Sequence, residues 1–207
     1  MSPKFYRRCA ALVAPSIKAD AAVLDVGCGQ GIQLAEIRKL RPTARLSGMD
    51  ISPRLVSRAM ANVPGAQIVT GDADNLAYPD EAFDVVIMTE VLEHLSDPVL
   101  ALEQLRRVLK PGGWMLLTVP NRDWLRYDWY QANRKAYQPV DDQWYRVAEV
   151  SSFIKKAGFE IRNVTGAENL YFGGGVLRLL EKLAIKIFPP LQRRMKRALY
   201  LASKPLP

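Results

Sequence analysis

Ala22-Val23-Leu24-Asp25-Val26-Gly27-Cys28-Gly29-Gln30-Gly31 is the stretch on which the fold turns. Its first five residues form a short apolar run, the pattern of a strand buried on both faces of a parallel sheet. Its last five form a glycine-rich turn, where the backbone can bend sharply and approach a ligand closely. The spacing is G-x-G-x-G followed by Ile32. A dinucleotide fingerprint is G-x-G-x-x-G, and Ile32 stands where its third glycine belongs. The turn therefore argues against a nucleotide-dependent oxidoreductase.

Outward from this stretch, strand and helix signals alternate. Ile32 to Leu40 has apolar residues at helical spacing. Arg45 to Met49 reads as a second strand, and Ser52-Pro53 as the cap and first residue of a helix running towards Ala61. Gln67 to Thr70 and Phe83 to Met88 read as further strands. Pro98 to Leu109 reads as a helix stopped by Pro111-Gly112-Gly113, with a fifth strand at Trp114 to Val119. Ala148 to Ala157 reads as a helix ending at Gly158, with a strand at Phe159 to Val164. Repeated β-α units predict an α/β fold with a parallel, doubly wound sheet. Residues 1–207 read as a single domain.

In such sheets ligands bind at the carboxyl ends of the strands, where the strand order reverses. Three features fall there. The first is the glycine turn. The second is Asp50, about 20 residues on, where a carboxylate can accept both ribose hydroxyls; it could equally flank the Ser52 cap. The third is Gly71-Asp72-Ala73, where Asp72 can accept from an adenine amino group or close an ordinary Asx turn. Their order on successive strand ends points to a nucleoside ligand.

With these motifs quoted, the chain resembles class I S-adenosylmethionine-dependent methyltransferases. Val23 to Gly31 resembles the first family motif. Asp50, Asp72, Phe83-Asp84-Val85-Val86 and Leu109-Lys110-Pro111-Gly112-Gly113 resemble the later ones. Glu90-Val91-Leu92-Glu93-His94-Leu95 and Thr118-Val119-Pro120-Asn121 resemble the branch that holds ubiquinone-biosynthesis O-methyltransferases. The likeness covers roughly residues 20–165. It implies a mostly parallel seven-stranded sheet with one antiparallel strand, for which Ala198 to Ser203 is the candidate. It also implies S-adenosyl-L-methionine as cofactor. Gly27, Gly29 and Gly31, with Cys28 among them, would pass along its methionine part, Asp25 would organise that turn and indirectly hold the amino group, Asp50 and Ile51 would meet the ribose end, and Asp72 and Ala73 the adenine. Glu90 would lie near the sulfonium and the acceptor.

His94 is the only histidine, and its ordinary titration range suits a base that deprotonates a hydroxyl acceptor. It also stands four residues after Glu90, where the two could pair on one helical turn. Glu93 is expected to be solvated. The connector at 121–147 carries Trp124, Tyr127, Trp129, Tyr130, Tyr137, Trp144 and Tyr145. It reads either as a lid over an apolar acceptor or as a small accessory core. Relatives often carry a histidine where this chain has Gln143-Trp144-Tyr145, which loosens any transfer of substrate identity.

The net charge of +8 lies wholly in the later part. Residues 1–120 hold 13 basic and 13 acidic side chains; residues 121–207 hold 16 and 8. Residues 173–197, an insertion before the last strand, hold seven basic residues and one acid, Glu181. Val176 to Phe188 has the pattern of a basic amphipathic helix, either packed on the domain or resting on an anionic membrane surface. Nucleic acid is disfavoured, because aromatic and basic residues are not interleaved there. Cys9 and Cys28 make no disulfide framework. Met1 to Ala14 lacks a full signal peptide pattern, and a cytoplasmic setting, with contact at the inner membrane face, is expected.

The expected activity is methyl transfer to a small-molecule or lipid-like acceptor, with oxygen as the acceptor atom implied by the resemblance to that branch. The alternatives are a non-catalytic S-adenosylmethionine-binding partner protein and an RNA methyltransferase. Oligomeric state is not encoded legibly.

Overall fold

A computed structural model describes residues 2–124, 127–128, 131, 143–167 and 196–206. A first helix, α1 (Pro3–Val13), leads to β1 (Ala22–Val26). Then follow α2 (Ile32–Leu40), β2 (Arg45–Asp50), α3 (Pro53–Asn62), β3 (Gln67–Thr70) and β4 (Phe83–Thr89). The remainder is α4 (Pro98–Val108), β5 (Leu109–Pro120), α5 (Val147–Lys156), β6 (Glu160–Ala167) and β7 (Arg197–Ser203).

The seven strands form one sheet in the order β3-β2-β1-β4-β5-β7-β6. β1 pairs in parallel with both β2 and β4. β7 runs antiparallel to β5 and to β6, between which it lies. The fold is therefore the mostly parallel doubly wound α/β sheet with one antiparallel strand that the likeness implies. The strand order reverses between β1 and β4, which opens a crevice at their carboxyl ends.

Strand alternation divides the core in two. Val23, Val85, Ile87, Leu116 and Leu199 face α1, α2 and α3, through Phe5, Cys9, Val13, Leu34, Ile37, Val56 and Ala59. Leu24, Val86, Met88, Leu117 and Tyr200 face α4 and α5, through Leu102, Leu105, Val108, Val150 and Ile154. Each fully buried Leu, Ile or Val side chain contributes roughly 1.5–3 kcal/mol.

Several local expectations change. α1 is a helix with Phe5, Cys9, Ala10 and Val13 buried, not merely a basic stretch before an apolar one. Ser52 is the N-cap and Pro53 the first residue of α3, as expected, but the Ser52 side chain makes no cap bond, and its N–H donates to Asp50 Oδ1 at 2.9 Å. β5 begins at Leu109 rather than Trp114, because Leu109 already pairs with Phe83. The pairing then resumes at Val85 with Trp114, so Lys110 to Gly113 bulge out, with Gly112 at φ +72°. No helix among the described residues is long and apolar enough to cross a membrane. The amphipathic run Val176 to Phe188, and Trp129, Tyr130 and Tyr137, lie outside the described residues.

Candidate functional site

The turn after β1 is held from below. The Gly27 and Cys28 N–H groups both donate to the Met49 carbonyl, at 2.7 and 2.9 Å, which ties the turn to the end of β2. Gly31 donates to the Cys28 carbonyl at 2.9 Å and caps α2 with φ +80°. Gly27 has φ +72°, and a Cβ there would stand 2.2 Å from Val91 Cγ2. Gly29 has φ +55° with nothing within 4 Å of an added Cβ. One glycine is thus needed by the fold, and the other faces open space at the crevice.

Asp50 is buried at the end of β2 and its carboxylate spans two segments. Oδ2 accepts from the Gly29 N–H at 2.8 Å and Oδ1 from the Ser52 N–H. Ile51, beside it, is 72% exposed. Asp72 does close an Asx turn, with Oδ1 accepting from the Asp74 N–H at 3.1 Å. Ala73 is buried. These residues stand on adjacent strand ends of β2 and β3.

Asp25 is fully buried, and neither carboxylate oxygen has a hydrogen-bond partner among the described residues. Burial, and then the neighbouring Asp50 charge, push its pKa up to about 8. Its position on β1 places it on the sheet face that α1 and α2 cover, as the alternation with Val23 requires. Burial also raises Tyr6 of α1, helped by the charges of Asp25 and Glu90.

Glu90 follows β4 in the left-handed region at φ +56°. Its N–H donates to the Thr118 carbonyl, and its Oε1 accepts from the Thr118 hydroxyl, both at 3.0 Å. Its Oε2 forms an ion pair with Arg197 of β7. The Arg197 guanidinium lies 5.9 Å from the Trp144 ring centroid. Glu90 precedes the 3-10 turn Leu92–His94 and does not share a helical turn with His94. Glu93 is 3% exposed, which overturns the expectation that it is solvated. The Gln143 N–H donates to the Glu93 carbonyl at 3.0 Å, so the connector's end packs over this turn.

Among the connector's described aromatics, Trp124, Trp144 and Tyr145 are buried. Tyr127 packs on Trp144 with ring centroids 5.5 Å apart, and Tyr145 meets Phe153 edge-on at 5.3 Å. Tyr145 thus joins the main core with Phe153, and Tyr127 and Trp144 pack on each other at the two ends of the connector. A cavity of about 220 Å³ opens beside the glycine turn, lined in part by Tyr6, Gly27, Gly29, Gln33 and Thr89.

Sequence reading missed Tyr6, Gln33, Thr118 and Arg197 as members of this neighbourhood. The spacing of Phe5, Cys9 and Val13 would have signalled a helix able to bring Tyr6 there. Nothing local marks Arg197 as Glu90's partner, since the two meet only through the insertion of β7.

Residues 3–164 match the family model described as a methyltransferase domain. A Mycolicibacterium smegmatis protein named as a probable S-adenosylmethionine-dependent methyltransferase is 30% identical, over 76% of this chain and 58% of its own. The ubiquinone biosynthesis O-methyltransferase of Cereibacter sphaeroides is 41% identical, over 49% of this chain and 42% of its own. The chain spans about half the length of such curated relatives. The fold is also that of a chain in the complex between the Haloferax volcanii Trm112 methyltransferase activator and a methyltransferase. That likeness has 22% identity, covers 98% of this chain and 91% of that one, and has a TM-score of 0.73. With the glycine turn and acidic strand ends set at the switch point of this sheet, the chain belongs to the class I S-adenosylmethionine-dependent methyltransferase family, whose cofactor is S-adenosylmethionine.

Proposed function

We propose that the protein transfers a methyl group from S-adenosylmethionine to the oxygen of a small-molecule or lipid-like acceptor. The observation that carries the cofactor site is Asp25: a fully buried carboxylate with two unpartnered oxygens beside the glycine turn. Such a group is costly unless a cation or a set of donors meets it, and the cofactor's amino group is a fitting partner. The residues present therefore fit the group.

Gly27, Cys28, Gly29 and Gly31 would border the methionine part. Asp50 and Ile51 would serve the ribose and the adjoining adenine face, and Asp72 and Ala73 the adenine edge. Asp50 can accept ribose hydroxyls with the lone pairs that Gly29 and Ser52 leave over. When bound, the cofactor supplies a sulfonium methyl that is already electrophilic. The protein then has to align the acceptor and exclude water. Glu90, fixed by Thr118 and Arg197, would hold a negative charge near the sulfonium. His94 would take the acceptor's proton. The aromatic connector at 121–147 would close over the acceptor, with Trp124 and Trp144 buried at its two ends.

Likeness to the ubiquinone biosynthesis O-methyltransferase over half the chain supports oxygen as the acceptor atom. The basic segment 173–197, apart from Arg197, which belongs to β7 and pairs with Glu90, would rest on an anionic lipid surface at the cytoplasmic face and bring the site to a lipid-like acceptor.

Calorimetric titration with S-adenosylhomocysteine tests the cofactor site. Turnover assays then follow with phenolic acceptors, free and in anionic vesicles. Methylated product on oxygen, reduced at least tenfold in His94→Ala as general-base loss requires, is the expected result. Tight cofactor binding with no turnover on any acceptor would instead favour a non-catalytic partner protein. Product formed on RNA alone would overturn the acceptor class.

A further inference from the structure

Gln33 sits in the first turn of α2, is 1% exposed, and lines the cavity beside the glycine turn. Neither its Oε1 nor its Nε2 has a hydrogen-bond partner among the described residues. Leaving a buried amide unpaired costs about 1–3 kcal/mol for each lost partner. Its neighbours along α2, Leu34 and Ile37, are apolar and fully buried, so an apolar side chain would suit the core better. Some polar group must meet Gln33 for the residue to make physical sense.

The surroundings narrow what that group is. The cavity is lined by Tyr6 of α1, by residues of the glycine turn, by Ile32 and Gln33 of α2, by Leu55 and the cationic Arg58 of α3, and by Thr89 at the end of β4. Asp72, Ala73 and Ile51, which lie at the nucleoside end, do not line it. Asp25, whose charge helps raise Tyr6, is a second buried side chain without a partner among the described residues, though it does not itself line the cavity. A primary amide offers both a donor and an acceptor. The amino-acid end of the cofactor carries a carboxylate, which accepts, and an ammonium, which donates.

We propose that Gln33, with Tyr6 brought in by α1, recognises the amino-acid end of the cofactor and discriminates it from the nucleoside alone. The inference rests on the cofactor site proposed above. It makes α1 a part of that site rather than a leading segment, and it makes Gln33 a residue that sacrifices stability of the empty protein for binding.

The test compares two ligands that share the nucleoside: S-adenosylhomocysteine, and 5′-methylthioadenosine, which lacks the amino-acid end. Calorimetric Kd values are measured on the whole chain, wild type and Gln33→Met, a variant close in volume with neither hydrogen-bonding atom. The expected result is about a tenfold loss or more for S-adenosylhomocysteine, the size of one charge-assisted hydrogen bond. The Kd for 5′-methylthioadenosine stays within about twofold, and the Tm of the unliganded variant rises. Parallel weakening of both ligands, or unchanged binding of S-adenosylhomocysteine, overturns the proposal. Should Gln33→Met fail to fold, Tyr6→Phe gives the same comparison, with the same split between ligands expected. A folded wild type that binds neither ligand overturns the underlying cofactor site, a result distinct from loss in the variant alone.

Discussion

The Gly29 N–H donates to Asp50 Oδ2 at 2.8 Å, so the carboxylate at the end of β2 is a strut of the glycine turn. The same side chain also takes the Ser52 N–H. Asp50→Ala should therefore lose more than a ribose contact. Two charge-assisted hydrogen bonds, each about 1.5–3 kcal/mol, go with it. S-adenosylhomocysteine affinity should fall by about 100-fold or more, with a lower Tm in the unliganded protein. Asp50→Asn should recover little, because its NH2 group would face a backbone donor. Titration calorimetry and thermal melts on both variants check this. Retained affinity in Asp50→Ala would remove Asp50 from the site.

The two glycines of the turn should separate stability from binding. Gly27→Ala places a Cβ 2.2 Å from Val91 Cγ2 in a left-handed backbone. It must shift Val91, and with it the start of the Leu92–His94 turn. Gly29→Ala meets nothing within 4 Å and carries only the left-handed penalty, about 1 kcal/mol. Its methyl group, however, projects where the proposed methionine part would pass. Gly27→Ala should lower Tm strongly. Gly29→Ala should melt within a few degrees of wild type yet bind S-adenosylhomocysteine at least tenfold more weakly. Equal Tm loss in both would show that Gly29 faces structure rather than ligand.

Much of this was legible because the sheet writes itself locally. Val23 to Val26, Val85 to Met88 and the glycine turn each carry their own pattern, and the motif spacings fix which strand ends they occupy. What was not legible depends on tertiary contact. Glu93 reads as a charged residue on a short polar turn, but the connector packs over it and Gln143 donates to its carbonyl. Arg197 becomes Glu90's partner only because β7 slots beside β5, aligning Arg197 with Pro120. α1 is hard to read from sequence because Lys4, Arg7 and Arg8 interrupt the apolar spacing of Phe5, Cys9 and Val13. Ser52 reads as a helix cap and stands at the N-cap of α3, but its side chain makes no cap bond, while its own N–H goes to Asp50.

Asp25 should make both stability and binding depend on pH. Unfolded, its pKa is roughly 3.9; folded, burial and then the Asp50 charge lift it to about 8. Between these values the folded state holds a proton that the unfolded state has released. Stability of the unliganded protein should therefore fall as pH rises from about 4 to 8, then level off. The slope from this one group approaches about 1.4 kcal/mol per pH unit. Asp25→Asn should flatten it, read as Tm against pH. An ammonium beside Asp25 favours the ionised form, so binding S-adenosylhomocysteine near pH 7 should release a proton. Calorimetry in buffers of different ionisation enthalpy reads that proton directly. No buffer dependence in wild type would mean that the ligand's amino group does not meet Asp25.

The Glu90–Arg197 pair links the end of β4 to the antiparallel strand with both side chains largely buried, at 6% and 13% exposure. Removing one partner strands the other charge, which typically costs about 3–5 kcal/mol. Arg197→Met should destabilise by that order, and Glu90→Gln by less, because the amide can still accept from the Thr118 hydroxyl. The double variant should cost well under the sum, since no lone charge remains. Urea denaturation of the four proteins gives the coupling energy, expected at 1 kcal/mol or more within the roughly 0.5–3 kcal/mol seen for contacting pairs. Additivity within about 0.5 kcal/mol would mean that the two charges do not depend on each other. Because Glu90 holds a left-handed backbone at φ +56°, Glu90→Gly should relieve that strain while losing the pair. It should therefore fold at least as well as Glu90→Ala while lacking the same charge, so any further difference in methyl transfer between those two variants would report on backbone position at the end of β4 rather than on the carboxylate.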